Sequence, residues 1–213
     1  IQKFIKRLID IAVSLIVLIL LMPVWIIVAV LIKATSPGPV FFLQDRPGKH
    51  RKIFKVYKFR TMRPGSEMMI KGKEVMKDDE RITPIGRILR RTKIDEIPQV
   101  LNVLKGEMSL VGPRPERIAS LADYTDEIAK RLNMSPGMTG LAQVSGNIYI
   151  PLVERYKYDV YYVEHFSLWL DLKIMMRTVS VILFGEEKYA GKPLVELHRS
   201  ANAETFSKKE SVS

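Results

Sequence analysis

One uncharged stretch near the N-terminus constrains the fold of this chain more than any other feature. Residues 11–32 read IAVSLIVLILLMPVWIIVAVLI and contain no charged side chain. As a straight α-helix this stretch would reach roughly 33 Å, about the thickness of a bilayer hydrocarbon core. No face of the helix would be polar, which argues against a core helix of a soluble protein. The stretch is also long for a signal peptide, and no small-residue cleavage site follows it. The sequence therefore predicts insertion into a membrane.

A proline and the flanking charges bear on the path of this helix. Pro23 lies at its middle, where it removes a backbone hydrogen bond and kinks the helix. Lys6 and Arg7 precede the apolar stretch, and Lys33 and a basic region over residues 49–60 follow it. Because positive charge marks the cytoplasmic side, both ends are expected there. A re-entrant helix broken at Pro23 would place both ends on the cytoplasmic side. The alternative is a kinked helix that spans the membrane, since lipid-embedded helices tolerate proline.

Charge and cysteine content narrow the classes of function. The chain has 34 Lys and Arg against 23 Asp and Glu, a net charge of +11. This balance favours a polyanionic partner, such as nucleic acid, an anionic membrane surface or a phosphate-bearing ligand. The sequence has no cysteine, which excludes disulfides and thiolate metal sites, and its three histidines lack metal-ligand spacing. The length fits one domain. The chain begins at Ile1, so a preceding region of a longer protein is left open.

The rest of the sequence predicts an α+β fold that is mainly helical. Residues 40–43 and 53–59 resemble strands and flank Pro47-Gly48, which predicts a β-hairpin. Helices are predicted over residues 85–91, 94–104, 118–132, 151–165 and 168–184. The last of these is amphipathic and suits either packing on a core or lying in the membrane interface. Residues 62–79 suggest a polar loop or short surface helix, and residues 186–213 a flexible tail.

The densest functional signal is RRTKIDEIPQ at residues 90–99. Pro98 belongs in a first helical turn, which places Asp95 and Glu96 near a helix N-terminus. One interpretation is that these carboxylates cap the helix and interact with its dipole. The other is chemical. The preceding helix carries arginines 87, 90 and 91 on one face, and with Lys93 they would keep Asp95 ionised and gather phosphate groups. Such a carboxylate can attack phosphorus, and its neighbour can help to bind Mg²⁺.

Two further segments indicate ligand contacts more weakly. In SLVGPRPE, residues 109–116, prolines on both sides of Arg114 fix the direction of its guanidinium group, although a rigid surface turn has the same pattern. In PGMTGLAQVSG, residues 136–146, glycines permit close backbone approach to a ligand but lack the spacing of a dinucleotide fingerprint. Two other classes of protein stay open on these grounds. One is a membrane-anchored module that binds nucleic acid or anionic lipid, and the other is a membrane scaffold without ligand chemistry.

A set of short motifs is specific in combination. They are KRLID (6–10), RPG (46–48), YKFRTM (57–62), DEIPQ (95–99), NVLKGEMSLVGPRPE (102–116), PGMTGLAQVSG (136–146), DVYY (159–162) and LDLKIM (170–175). With them the chain resembles the monotopic phosphoglycosyl transferases, also called bacterial sugar transferases, from residue 6 to about residue 184. The resemblance implies transfer of a sugar-1-phosphate from a nucleotide sugar, expected to be a UDP-sugar, to polyprenyl (undecaprenyl) phosphate. This is the first membrane step in assembling capsule, exopolysaccharide, O-antigen or glycoprotein glycans.

The resemblance also implies an architecture and a location. Residues 1–36 would form a re-entrant membrane helix broken at Pro23. Residues 37–185 would form a catalytic domain with interfacial amphipathic helices and the short β-hairpin, in contact with membrane phospholipid. The protein would lie on the cytoplasmic face of the bacterial inner membrane. No nucleic-acid partner is expected, and homo-oligomerisation is left open.

The same resemblance assigns roles to individual residues. Asp95 would be the nucleophile that forms a covalent phosphosugar-aspartyl intermediate and releases a nucleoside monophosphate. Glu96, together with Asp95, would hold Mg²⁺ as the cofactor. Substrate-binding residues are expected at Lys58, Arg60, Arg90, Arg114, Thr139 and Asp171.

Two positions depart from the family pattern. The residue before the membrane proline is often serine in relatives but is Met22 here, so no hydroxyl can bond the freed carbonyl. The residue after Gly146 is often arginine in relatives but is Asn147 here. A cationic contact to phosphate or sugar is therefore missing at this position, and the identity of the donor sugar is left open.

Overall fold

A long N-terminal helix and a body of short elements make up the fold. The structure is a computed structural model that describes residues 1–66 and 79–197. The α-helices are α1 (Gln2–Thr35), α2 (Pro84–Arg91), α3 (Val100–Lys105), α4 (Asp126–Ala129), α5 (Leu141–Val144), α6 (Leu152–Glu164) and α7 (Leu168–Phe184). The strands are β1 (Phe41–Pro47), β2 (Ile53–Phe59), β3 (Ser109–Val111) and β4 (Gly137–Thr139). This confirms the predicted mainly helical α+β class.

Helix α1 is apolar and buries few of its side chains. It is continuous through Pro23, and its re-entrant path stays a prediction. In the described part of the chain it is the one helix long and apolar enough to cross a membrane, with a mean hydropathy of 3.3 over its best window. Only 11% of that window is buried, and none of residues 15–27 is buried. The packing therefore differs from that of a core helix in a soluble protein.

The N-terminal end of α1 is fixed to the body by polar contacts. The Lys6 ammonium forms an ion pair of 2.7 Å with Asp171 of α7. Arg7 donates to the carbonyl oxygens of Val103 and Leu104 at the end of α3, where the last carbonyls of a helix lack intrahelical partners. Asp10 accepts a hydrogen bond of 3.0 Å from the amide of Leu110. The KRLID motif thus attaches α1 to α3, α7 and the strand β3.

The C-terminal end of α1 packs against a different part of the same body. Val28 and Ile32 are buried against Phe59 of β2 and Leu89 of α2. Arg60 donates to the carbonyl oxygens of Ser36 and Pro37, just beyond the helix. Both ends of α1 are therefore held by the body, while the side chains of residues 15–27 between them stay exposed or only partly buried.

The predicted hairpin is confirmed, with a longer first strand than the sequence indicates. β1 and β2 are antiparallel, with Phe41 opposite Phe59 and Pro47 opposite Ile53. The turn between them includes His50 and Arg51 with φ angles of 54° and 62°. A second pair, β3 with β4, is parallel. Each of those strands has only three residues, too few for an alternating pattern to predict.

Two predicted helices differ in the structure. The predicted helix over 118–132 is wrong as a single element, because short helical turns replace it: Ile118–Asp123, α4 and Lys130–Asn133. Thr125 adopts an extended backbone and caps α4, its side chain accepting from Ile128. The predicted helix over 94–104 begins instead as a 3-10 turn, Ile94–Gln99, that leads directly into α3.

Helices α5, α6 and α7 surround the main core. Its buried members are Val111, Met134, Leu141, Ala142, Val144, Tyr158, Tyr162, Leu170 and Ile174. Helix α7 has exactly the predicted bounds and packs on this core through Leu170 and Ile174. Its other side is also apolar and stays exposed, with Trp169, Met176 and Ile182 each more than half accessible. The two sides correspond to the two predicted alternatives, a core face and a face suited to a membrane interface.

The segment after α7 differs from the predicted flexible tail. Leu194, Val195 and Leu197 pack against the main core, and Glu186 forms two contacts with the body. The predicted tail beyond residue 197 lies outside the described residues, as does most of the loop predicted over 62–79.

Candidate active site

Asp95 and Glu96 lie in the 3-10 turn Ile94–Gln99, between α2 and α3. Lys93, directly before the turn, has a φ angle of 59°. This left-handed conformation costs a non-glycine residue roughly 1 kcal/mol. It ends α2 and reverses the chain, so that the two acidic residues begin a new helical segment. The sequence prediction that these residues lie near a helix N-terminus is confirmed.

Glu96 is held by two cations from distant parts of the sequence. The ammonium group of Lys58, on β2, donates to Glu96 Oε1 at 2.7 Å. The guanidinium of Arg114 lies 3.7 Å from the same oxygen. Burial alone would raise the pKa of Glu96, but Lys58 and Arg114 lower it further than burial raises it. Glu96 is therefore ionised throughout the neutral range.

Asp95 is more buried than its neighbour and is not paired. In the described part of the chain, no group hydrogen-bonds to its Oδ1 atom. Burial first, and then the charge of Glu96, raises the pKa of Asp95 to about 6, while Lys58, Arg90 and Lys93 oppose this shift. At pH 7 the carboxylate is about nine-tenths ionised. A carboxylate with a raised pKa and a free oxygen is more basic than a paired one, which suits a nucleophile.

A buried ion pair fixes the backbone that carries Arg114. Arg131 is 2% exposed and pairs with Asp159, with its Nε 3.1 Å from the carboxylate. It also donates to the carbonyl oxygen of Arg114 at 2.7 Å and to the hydroxyl of Tyr124. Sequence reasoning placed Asp159 in the DVYY motif without a role and missed Arg131. Because this pair holds the turn between Pro113 and Pro115, it sets where the Arg114 guanidinium can reach.

A buried amide fixes the strand that carries Lys58. Asn102 of α3 is fully buried. Its Oδ1 accepts from the backbone amide of Tyr57 at 3.0 Å, and its Nδ2 donates to the carbonyl of Lys55 at 2.7 Å. The side chain thus joins the free edge of β2 to the helix that follows the acidic pair. Sequence reasoning placed this residue at the start of the NVLKGEMSLVGPRPE motif without a role, since a single asparagine in a helix has no distinctive pattern.

The other predicted substrate-binding residues have varied environments. Arg90 lies at the end of α2, where its charge lowers the pKa of Asp95. Arg60 is engaged at the end of α1, Thr139 shares a hydrogen bond of 2.8 Å with Thr178 of α7, and Asp171 pairs with Lys6. Among the described residues, none of these last three has a hydrogen bond or ion pair with either member of the acidic pair. Their role in substrate binding stays a prediction. The charges that act on Asp95 include Glu96, Lys58, Arg90 and Lys93, while Arg114 acts on Glu96.

The acidic pair could hold a metal ion only together with other ligands. No group of three or more His, Cys, Asp or Glu side chains converges within residues 1–66 and 79–197. Mg²⁺ is usually bound by one or two carboxylates and completes its six ligands with waters and substrate phosphates. The free Oδ1 of Asp95 and the neighbouring Glu96 meet that requirement. The residues present therefore fit Mg²⁺ bound together with a phosphate ligand.

Comparison with known proteins identifies the family. Residues 1–185 match the family model for bacterial sugar transferases. The chain therefore belongs to the bacterial sugar transferase family, and the resemblance to polyprenyl-phosphate sugar-1-phosphate transferases is confirmed.

Several relatives are similar to this chain over most of its length. It is 43% identical over 192 residues to the UDP-N-acetylgalactosamine-undecaprenyl-phosphate N-acetylgalactosaminephosphotransferase of Aeromonas hydrophila. It is 46% identical over 185 residues to the exopolysaccharide production protein PSS of Rhizobium leguminosarum bv. phaseoli. It is 42% identical over 181 residues to the uncharacterized sugar transferase EpsL of Bacillus subtilis strain 168.

The relatives differ in how much of their length this chain matches. The alignment covers 87% of this chain but 45% of the Aeromonas protein. It covers 92% of the Rhizobium protein and 88% of the Bacillus protein. The shared region includes the acidic pair and the residues that contact it.

Proposed function

We propose that this protein transfers a sugar-1-phosphate from a nucleotide sugar, most simply a UDP-sugar, to polyprenyl phosphate. The observation that carries the proposal is the buried carboxylate of Asp95, with one free oxygen, beside a glutamate held by Lys58 and Arg114. Three relatives whose names specify UDP-sugar or undecaprenyl-phosphate transfer, from Aeromonas, Klebsiella and Salmonella, support the substrate classes.

The first step is attack of an Asp95 oxygen on the phosphorus that carries the sugar. A new bond forms between this oxygen and phosphorus, and the bond from phosphorus to the bridging oxygen of the diphosphate breaks. The nucleoside monophosphate leaves with the bridging oxygen and the electron pair. Arg114, Arg90 and Lys58 lie around the acidic pair and offset the negative charge of the diphosphate.

The second step returns the enzyme to its starting state. A phosphate oxygen of the polyprenyl phosphate attacks the same phosphorus, and the bond between phosphorus and the Asp95 oxygen breaks. The products are the polyprenyl diphosphate sugar and the free carboxylate. Neither step needs a proton transfer, which accords with a site that contains cations and carboxylates but, among the described residues, no histidine near the acidic pair.

The two carboxylates are suited to different tasks. Glu96 shares its oxygen with Lys58 and Arg114 and is a weak nucleophile. Asp95 has a raised pKa and a free oxygen, so it is the better nucleophile. Asp95 and Glu96 would also hold Mg²⁺ through their oxygens. When bound, that ion neutralises charge on the diphosphate.

The same proposal places the protein on a membrane. Both ends of α1 contact the body while residues 15–27 stay unburied, which supports a helix that enters the bilayer and returns. The exposed apolar side of α7 would lie in the interface of the same leaflet, in contact with phospholipid. The basic flanks of α1 favour the cytoplasmic face. In this arrangement the acidic pair is close to the phosphate of a lipid-anchored acceptor.

The function is tested with purified protein in detergent or nanodiscs. The protein is incubated with a panel of UDP-sugars and undecaprenyl phosphate, and both released UMP and labelled lipid are measured. We expect one or a few donors to give equal amounts of UMP and lipid product, and excess EDTA to stop the reaction. UMP release without any lipid product would contradict polyprenyl phosphate as the acceptor. Full activity in excess EDTA would contradict the requirement for Mg²⁺.

A further inference from the structure

Asn147 has a buried hydrogen-bond acceptor that the protein does not use. The residue is 5% exposed, and among the described residues nothing donates to its Oδ1 atom. Its φ angle is 48°, in the left-handed region that asparagine tolerates better than most residues. An unsatisfied buried acceptor is unfavourable and is rare in folded proteins. Such an acceptor can take a hydrogen bond from a bound ligand.

The neighbour of Asn147 determines which of its amide atoms is free. Asn147 Nδ2 donates to Glu186 Oε2 at 2.9 Å, and Lys93 donates to Glu186 Oε1 at 2.9 Å. An ionised carboxylate can only accept, so the amide nitrogen must face Glu186 and the oxygen must face away. A rotated amide would place two acceptors against each other. The free group is therefore an acceptor in a fixed orientation.

Asn147 and Glu186 belong to the surroundings of the acidic pair. Lys93, which pairs with Glu186, precedes Asp95 by two positions. The charge of Glu186 also acts on Arg114, the arginine beside Glu96. Gly146 packs against Ala190, since a Cβ atom at Gly146 would lie 3.1 Å from the Cα of Ala190. Residues 146–147 and 186–190 thus lie together, and Glu186 connects them through Lys93 to the turn that carries Asp95.

We infer that Asn147 Oδ1 accepts a hydrogen bond from a hydroxyl or acetamido N–H of the donor sugar, and that Asn147, oriented by Glu186, helps to determine which sugar is accepted. The inference rests on the proposed function. Ionised phosphates offer only acceptors, so the diphosphate does not satisfy this atom. The sugar is attached to the phosphorus that Asp95 attacks, and its hydroxyls are the nearest donors of the substrate. The nucleobase is the other source of N–H donors, and the experiment separates the two.

The test measures binding, so that it does not depend on turnover. UDP-sugar affinity is measured by calorimetry for Asp95→Asn, with and without Asn147→Gly, because glycine retains the left-handed backbone. We expect Asn147→Gly to weaken binding of the preferred UDP-sugar about tenfold, the effect of one hydrogen bond. Binding of UMP should be unchanged. The loss should disappear for one deoxy analogue of the sugar, which lacks the group that donates to Asn147. Exposed Asn133→Ala is the matched control and should not change affinity.

The outcomes separate this inference from the proposed function. Equal affinity of both proteins for every UDP-sugar overturns the inference, as does an equal loss for UMP, which would assign the acceptor to the nucleoside, through its ribose hydroxyls or its base N–H. Glu186→Gln keeps an oxygen that can accept from Asn147. In this background, adding Asn147→Gly should still weaken binding of the preferred UDP-sugar and leave binding of UMP unchanged. If Asn147→Gly weakens binding of the UDP-sugar but not of UMP, and the native protein nevertheless transfers no sugar phosphate to lipid, the proposed function is wrong and the sugar-binding role of Asn147 is supported.

Discussion

Asp95 and Asp171 are both buried aspartates, and they differ in their partners. Burial is the first cause of a raised pKa in both. Asp171 uses both oxygens: Oδ2 pairs with Lys6 at 2.7 Å, and Oδ1 accepts from the hydroxyl of Tyr162 at 2.7 Å. Asp95 has no ion pair among the described residues, and its Oδ1 has no partner. The two aspartates therefore differ in ion pairing and hydrogen bonding, and not in burial or in the direction of the pKa shift.

The satisfied carboxylate joins the membrane helix to the body. Asp171 lies on α7 and Lys6 on α1, so their ion pair links two helices that are 165 positions apart in sequence. The unsatisfied carboxylate lies in a turn between two short helices and links nothing. We propose a chemical role for it, and the following changes test whether one aspartate is catalytic and the other structural.

The largest expected effect is on transfer in Asp95→Asn. This substitution keeps the shape of the side chain but removes the nucleophile, so sugar-phosphate transfer should fall by at least about 1,000-fold. The variant should melt no lower than the native protein at pH 7, because a buried charge without an ion pair has been removed. Activity assays and thermal unfolding measure the two effects. Near-native transfer by this variant would contradict the nucleophile assignment and would support the alternative, that Asp95 only caps a helix.

The second effect is on stability in Asp171→Asn. This change leaves the Lys6 ammonium buried without its anionic partner, which should lower the free energy of unfolding by about 3 kcal/mol. The transfer rate per folded molecule should stay within a few-fold of the native rate. Denaturant unfolding in detergent measures the loss. The double variant Lys6→Met with Asp171→Leu should recover part of the lost stability, because neither charge is then buried without a partner. An Asp171→Asn protein that is stable but inactive would instead place Asp171 in the catalytic site.

The third effect is the pH dependence of transfer. The pKa of Asp95 is about 6, and only the ionised form is nucleophilic, so activity is nearly full at pH 7, falls to about half at pH 6 and is lost at lower pH. The rate should drop about tenfold between pH 7 and pH 5. Initial rates at constant ionic strength provide the measurement. Asp171→Asn should retain this profile, and a rate independent of pH over the interval would contradict the role of Asp95.

The smallest effect is expected for an exposed ion pair. Asp45 and Lys55 face each other across the hairpin at 2.9 Å, with about half or more of each side chain accessible. Asp45→Asn should change the free energy of unfolding by less than about 0.5 kcal/mol and leave transfer unchanged. The same unfolding experiment provides the value. A loss as large as that of Asp171→Asn would show that burial does not distinguish these ion pairs.

The sequence predicts the elements whose patterns are local. The hairpin, helix α6 and helix α7 follow from alternation and helical periodicity, and the position of Asp95 near a helix N-terminus follows from Pro98. The parallel pair β3–β4 and the division of residues 118–133 into short turns do not, since three-residue strands and a capping threonine give weak patterns.

Contacts between distant residues account for most of what the sequence does not predict in the site. Asn102 reaches back to Lys55, 47 positions earlier, and Arg131 pairs with Asp159, 28 positions later. Arg60 and Asp171 are residues that the sequence singles out but whose contacts it does not predict. Sequence identifies them as charged residues in notable motifs, but only the structure shows that their partners are the carbonyl groups after α1 and the ammonium of Lys6.

The most direct test of the central claim is the mass of the protein after incubation with its UDP-sugar and Mg²⁺ in the absence of lipid acceptor. The account predicts an added mass equal to one sugar phosphate, located on the peptide that contains Asp95 and lost when undecaprenyl phosphate is supplied. Asp171→Asn should form the same adduct and Asp95→Asn should not. An adduct on another residue, or full transfer by a protein that never carries one, would contradict the claim.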